Sequence, residues 1–206
     1  MRSLAFIEKV LIVLGCIGVF LKFARPGHNL EGAIFILVGF VPLAALYFGA
    51  GLWLFRERDS KANDRLVSAI CGLAFSLGVL GICTRLLYWL EAGTCLLLGM
   101  ILLTSTVLIS IQKRKAQLLE ERYNYYKNIV TRSLIMLSFS AILFAVPQST
   151  LINFEYRNDP VHAKLLSDYL ADPEDRAKYE ALAEYEMRDP GERSMRPKKK
   201  NGSVQP

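Results

Sequence analysis

The sequence predicts an all-α, polytopic membrane protein with five transmembrane helices, a duplicated two-helix hairpin plus one, and a short helical C-terminal tail. Three observations predict it. Charge-free runs cover residues 10–21, 32–55, 66–84, 92–112 and 133–154, which is 12, 24, 19, 21 and 22 residues. Basic residues alternate between the connections. A stretch at 18–39 returns sixty residues later, at 78–99. About 20 apolar residues cross a hydrocarbon layer of roughly 30 Å as a helix, so four of the runs are long enough as they stand. With 52% apolar residues and a positive mean hydropathy, the chain does not fit an ordinary soluble domain.

The first run is short between its charges. It spans only if Lys22 is carried inside or snorkels, which gives a helix of about residues 4–23. No small-x-small cleavage site precedes the cluster of Lys22 and Arg25, so the segment reads as retained rather than as a cleaved signal. The next spans fall at about 31–55, 66–86 and 91–112. Glycines 15, 18, 39, 72, 78, 81 and 99 are placed to let the helices approach closely.

At the sixty-residue offset, Gly18, Val19, Arg25, Leu30, Glu31, Leu37, Gly39 and Leu43 match Gly78, Val79, Arg85, Leu90, Glu91, Leu97, Gly99 and Leu103. The shared Arg-(x)5-Glu at a polar tip argues for duplication, in parallel orientation because two spans per copy return the chain to its starting side.

Orientation follows from the basic residues. Arg2 and Lys9 flank the first span. Arg56, Arg58, Lys61 and Arg65 follow the second, and Lys113, Arg114, Lys115, Arg122, Lys127 and Arg132 follow the fourth. The intervening tips carry only Lys22 with Arg25, and Arg85. The positive-inside rule puts the N-terminus in the cytoplasm and both tips and the tail outside, as expected for a bacterial inner-membrane protein. The 113–132 link is basic and amphipathic; it either prolongs the fourth span into the cytoplasm or lies along the headgroups, with a partner-binding helix as the sharper alternative. In the fifth span, 133–154, Pro147 marks a kink or the helix's outer end.

Beyond it, 155–188 reads as two short helices. Asp159-Pro160 and Asp172-Pro173 supply the start signals, and Leu165, Leu166, Tyr169, Leu170 and Tyr179, Leu182, Ala183, Met187 form the apolar stripes. Such stripes cannot form a core alone and should pack on each other, on the membrane-domain tips, or on another protein. The basic end at 189–206 reads as disordered.

Candidate chemistry is confined to charges near the tips. Lys22 corresponds to Ile82 at the sixty-residue offset, so its depth is apolar in the second copy. A lysine there needs an anion, and Glu31 is the expected partner across a turn at about 25–29. Arg25 with Glu31 and Arg85 with Glu91 form the equivalent pairs, which either pin the hairpin turns or, in the case of Lys22 and Glu31, carry protons or ions. His28 reads as a loop residue, and His162 as lying on an exposed helix face. Cys16, Cys71, Cys83 and Cys95 lie in apolar runs without metal-ligand spacing. No catalytic, cofactor or metal constellation is expected, and no nucleic-acid role, since orientation in the bilayer accounts for much of the +6 charge.

The pattern Gly18-(x)3-Lys22-(x)3-Pro26-Gly27, followed by an apolar run ending Leu43-Ala44-Ala45-Leu46-Tyr47-Phe48, resembles a hairpin of Bacteroidetes inner-membrane proteins. One member of that group is the channel subunit of the gliding-motility and type 9 secretion motor. The resemblance covers roughly residues 10–50, with an echo at 70–110, and implies that Lys22 matches that family's intramembrane lysine. The motor subunit carries a glutamate within its second span, whereas 32–55 has no ionisable side chain, and it lacks the third and fourth spans. The likeness extends more closely to multipass relatives with a DP-rich helical tail. The expected function is that of a non-catalytic scaffold or accessory subunit whose tail contacts a protein partner or a second copy. The alternatives are a proton- or ion-translocating subunit and a small-solute transporter.

Overall fold

The computed structural model describes residues 2–24, 30–49, 51, 62–115 and 120–187. Regular structure among them is entirely helical, in eight helices: α1 (Arg2–Ala24), α2 (Leu30–Gly49), α3 (Ala62–Leu86), α4 (Ala92–Lys115), α5 (Glu120–Ala145), α6 (Gln148–Glu155), α7 (Pro160–Ala171) and α8 (Arg176–Met187). Four of them, α2 to α5, contain stretches long and apolar enough to cross a membrane. α1, with Glu8, Lys9 and Lys22 along its length, is not among the four.

The five long helices pack antiparallel in chain order. Gly39 of α2 lies on the Gly15 backbone of α1, so closely that a Cβ would collide with it. Gly99 of α4 packs tightly on the Gly78 backbone of α3, with 3.0 Å from its Cβ position to the Gly78 Cα. Ile36, Ile82, Cys83, Leu86, Leu96 and Leu143 join α2, α3, α4 and α5 in one buried cluster, with Val19 and Phe23 of α1 packed against it. Near the other end Val67 and Cys71 of α3 bury against Tyr126 and Ile129 of α5.

Of the 113–132 link, residues 113–115 prolong α4 and 120–132 open α5, while 116–119 lie outside the described residues. In α5, Tyr126 and Ile129 find a partner surface on α3. The 133–154 run is likewise not one helix. Pro147 cannot donate a backbone hydrogen bond, so α5 ends at Ala145 and α6 starts afresh at Gln148.

The outward faces of the long helices carry Phe6, Phe20, Ile101, Leu108, Ile135 and Ile142, each more than half exposed. Isolated exposed apolar side chains are ordinary, but a belt of them around a bundle is not.

The tail folds back onto the end of the bundle. Asp159 caps α7 by accepting a hydrogen bond from the His162 amide (3.1 Å), with Pro160 in the first turn, where its missing N–H costs nothing. The same carboxylate oxygen accepts from the Tyr185 hydroxyl of α8 (2.7 Å) and so ties the two short helices together. Asp159→Ala is expected to destabilise this tail by about 1–2 kcal/mol. Hydrogen exchange should show α7 and α8 losing protection while the bundle amides keep theirs. α8 starts later than the Asp172-Pro173 signal suggests. Asp172 instead accepts a hydrogen bond from the Lys178 ammonium (3.0 Å), and Asp175 accepts from the Ala177 amide.

Candidate functional site

The site lies where the α1 terminus, the α3–α4 turn and the tail converge. Lys22 stands in the last turn of α1 and is buried, with 5% of its surface exposed. The start of α2 passes directly over it, since Gly32 leaves no Cβ to strike the Lys22 backbone. Its ammonium pairs with Glu155 Oε2 at 3.0 Å, and Glu155 is itself 2% exposed. Two buried charges of opposite sign largely cancel their desolvation cost, which neither would survive alone. Phe23 and Phe154, the neighbours of the two ion-pair residues, also meet, with ring centroids 5.8 Å apart.

The Lys22 ammonium lies over the Tyr88 ring, 4.7 Å from its centroid. Tyr88 reaches that position through an unusual backbone. The Tyr88 amide donates to the Arg85 carbonyl and the Trp89 amide to the Thr84 carbonyl, the two bonds of a Schellman helix end. Glycine normally fills the left-handed position of that motif, yet here it is tyrosine, at φ 59°. A bulky residue there costs about 1–2 kcal/mol, which the buried ring offsets by packing with Ile152, Tyr156 and Ala163 of the tail. Burial first, and the Glu155 carboxylate second, hold the Tyr88 phenol protonated far above the usual range. The same two causes raise the Tyr156 phenol.

Arg85, one helix turn before Tyr88, is also buried. Its guanidinium donates to the Val146 carbonyl (2.8 Å) and to Gln148 Oε1 (3.0 Å), on either side of the Pro147 break. A cation there suits a helix C-terminus, and its fork satisfies a carbonyl that the proline break leaves without a helical partner. Arg85→Met is expected to destabilise the bundle by about 2–3 kcal/mol, read as thermal unfolding in detergent, with Arg85→Lys recovering part of it.

The candidate charges are thus redistributed. Lys22 pairs with Glu155, and Arg85 holds the α5–α6 break through Val146 and Gln148. The folded tail brings an acid to Lys22, and the α5–α6 break brings a carbonyl to Arg85. Glu31 and Glu91 are both exposed at the mouths of the hairpins, and Glu91 accepts from the Thr94 hydroxyl (3.2 Å). Arg25 and His28 lie outside the described residues.

His162 is buried, not exposed as expected. Its ring lies 4.4 Å from that of Tyr156 and 5.8 Å from that of Tyr185, and Nε2 is 3.5 Å from Glu186 Oε1. The i, i+4, i+8 spacing of His162, Leu166 and Leu170 was the signal that places it on the inward stripe.

The glycine contacts also change the internal correspondence. Gly15 meets Gly39 as Gly78 meets Gly99, and Gly18 lies on Ile36 as Gly81 lies on Leu96. In these contacts the second helices of the hairpins correspond at sixty residues and the first helices at sixty-three. At that spacing Lys22 stands opposite Arg85, so each hairpin carries one buried cation near its tip.

Between these parts lies a cavity of about 640 Å³, whose lining includes Lys22, Tyr88, Trp89, Glu91, His162 and Glu186. Its walls come from the tips of both hairpins and from α7 and α8. At the far end of the bundle Glu8 accepts hydrogen bonds from Tyr47 and Arg132, both at 2.9 Å, and links α1, α2 and α5. No family model, no curated protein and no solved structure matches this chain.

Proposed function

We propose that the chain is a non-catalytic integral membrane protein that serves as a scaffold or accessory subunit. It crosses the bilayer five times, with its N-terminus in the cytoplasm and its tail outside, as expected of a bacterial inner-membrane protein. The apolar belt on α1 to α5 and the alternation of basic connections support the membrane reading.

The observation that carries the scaffold reading is how the tail is held. Lys22 and Glu155 fasten it to the bundle, yet Val161, Tyr179 and Met187 remain exposed on α7 and α8, at 44%, 56% and 86%. A rigidly mounted apolar surface is suited to a protein partner or to a second copy. A photoreactive residue at Tyr179 or Met187 in intact cells should yield one discrete protein adduct, and the same substitution at Lys164 should not. Lipid adducts alone at all three positions would defeat the scaffold reading.

The competing reading, proton or ion translocation through Lys22 and Glu31, is disfavoured by the engagement of the Lys22 ammonium with Glu155. Proton flux into liposomes that disappears in Lys22→Ala but persists in Arg85→Met would reinstate it. The cavity at the tips is the feature that speaks for solute handling.

A further inference from the structure

We infer that the cavity at the hairpin tips holds one acyl chain of an outer-leaflet lipid, turned aside into it between α2 and α4. The inference rests on the bilayer reading proposed above. The volume of about 640 Å³ falls within the range of small-molecule sites.

The charged groups in the lining are already committed within the chain. Lys22 is held by Glu155 at 3.0 Å and lies over the Tyr88 ring. Glu186 meets His162 Nε2 at 3.5 Å, and Glu91 accepts from the Thr94 hydroxyl at 3.2 Å. An ionic ligand would give up its water and gain no uncommitted counter-charge from this lining. The wall that remains is apolar, with Ala33, Leu87, Leu166 and Leu170 beside the rings of Tyr88 and Trp89. An acyl chain buries itself there without stranding a polar group.

Two apolar stripes lead from the outer surface of the bundle to that wall. On α2, Ala33 shares a helix face with Leu30, Leu37 and Val41, all three exposed. On α4, Cys95 lines the cavity and Leu98, one turn further on, is exposed. In a bilayer these stripes are covered by lipid chains, the most concentrated apolar ligand the cavity can meet, so mass action favours their entry. Trp89 and Leu90 line the cavity and are more than half exposed, which marks its mouth. Tryptophan suits the headgroup layer, where the polar end of the lipid would stay.

The test places the full chain in phosphatidylglycerol nanodiscs with a trace of the same lipid carrying a diazirine near the end of one acyl chain. Photolysis should attach lipid to α5 around Ile135 and Ile142, which face outward, and also to the tail peptide 165–176, which contains Leu166 and Leu170. Ala33→Trp and Cys95→Trp, which fill the cavity from two different helices, should each abolish the tail adduct and keep the α5 adduct. Ala33→Leu, a smaller plug, should reduce the tail adduct in part. An unchanged melting temperature separates a plugged cavity from a lost fold.

A native chain labelled on α5 but not on 165–176 would overturn this proposal and leave the bilayer reading standing. A chain labelled on neither would overturn the bilayer reading itself. A tail adduct that survives all three plugs would also overturn the proposal, because the tail would then meet lipid outside the cavity.

Discussion

Lys22→Ala is expected to destabilise the protein by about 3–5 kcal/mol, because it leaves the buried Glu155 carboxylate without its cation. The cost comes from the unpaired charge more than from the lost attraction. Glu155→Leu in the same background should therefore restore most of the stability, since an apolar pair of similar volume does without desolvation. Measured as denaturant unfolding in mixed micelles, the double variant should lie within about 1–2 kcal/mol of the native chain. A simple surface ion pair would give a different pattern, with each single change costing under about 1 kcal/mol. Loosening should begin in the tail, whose Phe154 and Glu155 face α1.

Gly39→Leu should be at least as damaging, by about 3 kcal/mol or more, because the added side chain meets the Gly15 backbone and the Leu11 carbonyl. No rotamer escapes a collision that begins at Cβ, so α1 and α2 must separate. Gly99→Leu should act similarly on α3 and α4 through Gly78. Gly49 and Gly93 provide the contrast, since nothing lies within 4 Å of the Cβ position at either. Gly93→Ala, in the first turn of α4, should be neutral or stabilise slightly through helix propensity. Folded fraction after extraction, compared across the three variants, checks the order.

Much of the architecture was legible because it depends on local features. Charge-free runs located α2, α3 and α4, Asp159-Pro160 located the start of α7, and Pro147 located the end of α5. The ion pairing was not legible from neighbours in sequence. Glu31 is the nearest acid to Lys22 across the turn, whereas Glu155 is the first acid after the last apolar run and so reads as the start of a tail. The clue was depth: an apolar run ending in an acid and another ending in a lysine must bring those charges to the same level. Between α1 and α3 the glycine contacts recur at a spacing of sixty-three residues, while the matching letters stand sixty apart. Tyr88 gave no signal, because tyrosine seldom occupies a left-handed helix end.

The placement of both hairpin tips and the tail at one end, on the outer side of a membrane, is tested most directly by labelling. In a chain whose four cysteines are replaced by alanine, a cysteine at Lys164 should react with an impermeant maleimide on intact cells. A cysteine at Lys127, exposed near the opposite end on α5, should react only after permeabilisation. Reaction at Lys127 but not Lys164 in intact cells would contradict the orientation, and equal reaction of both would contradict the membrane-spanning bundle itself.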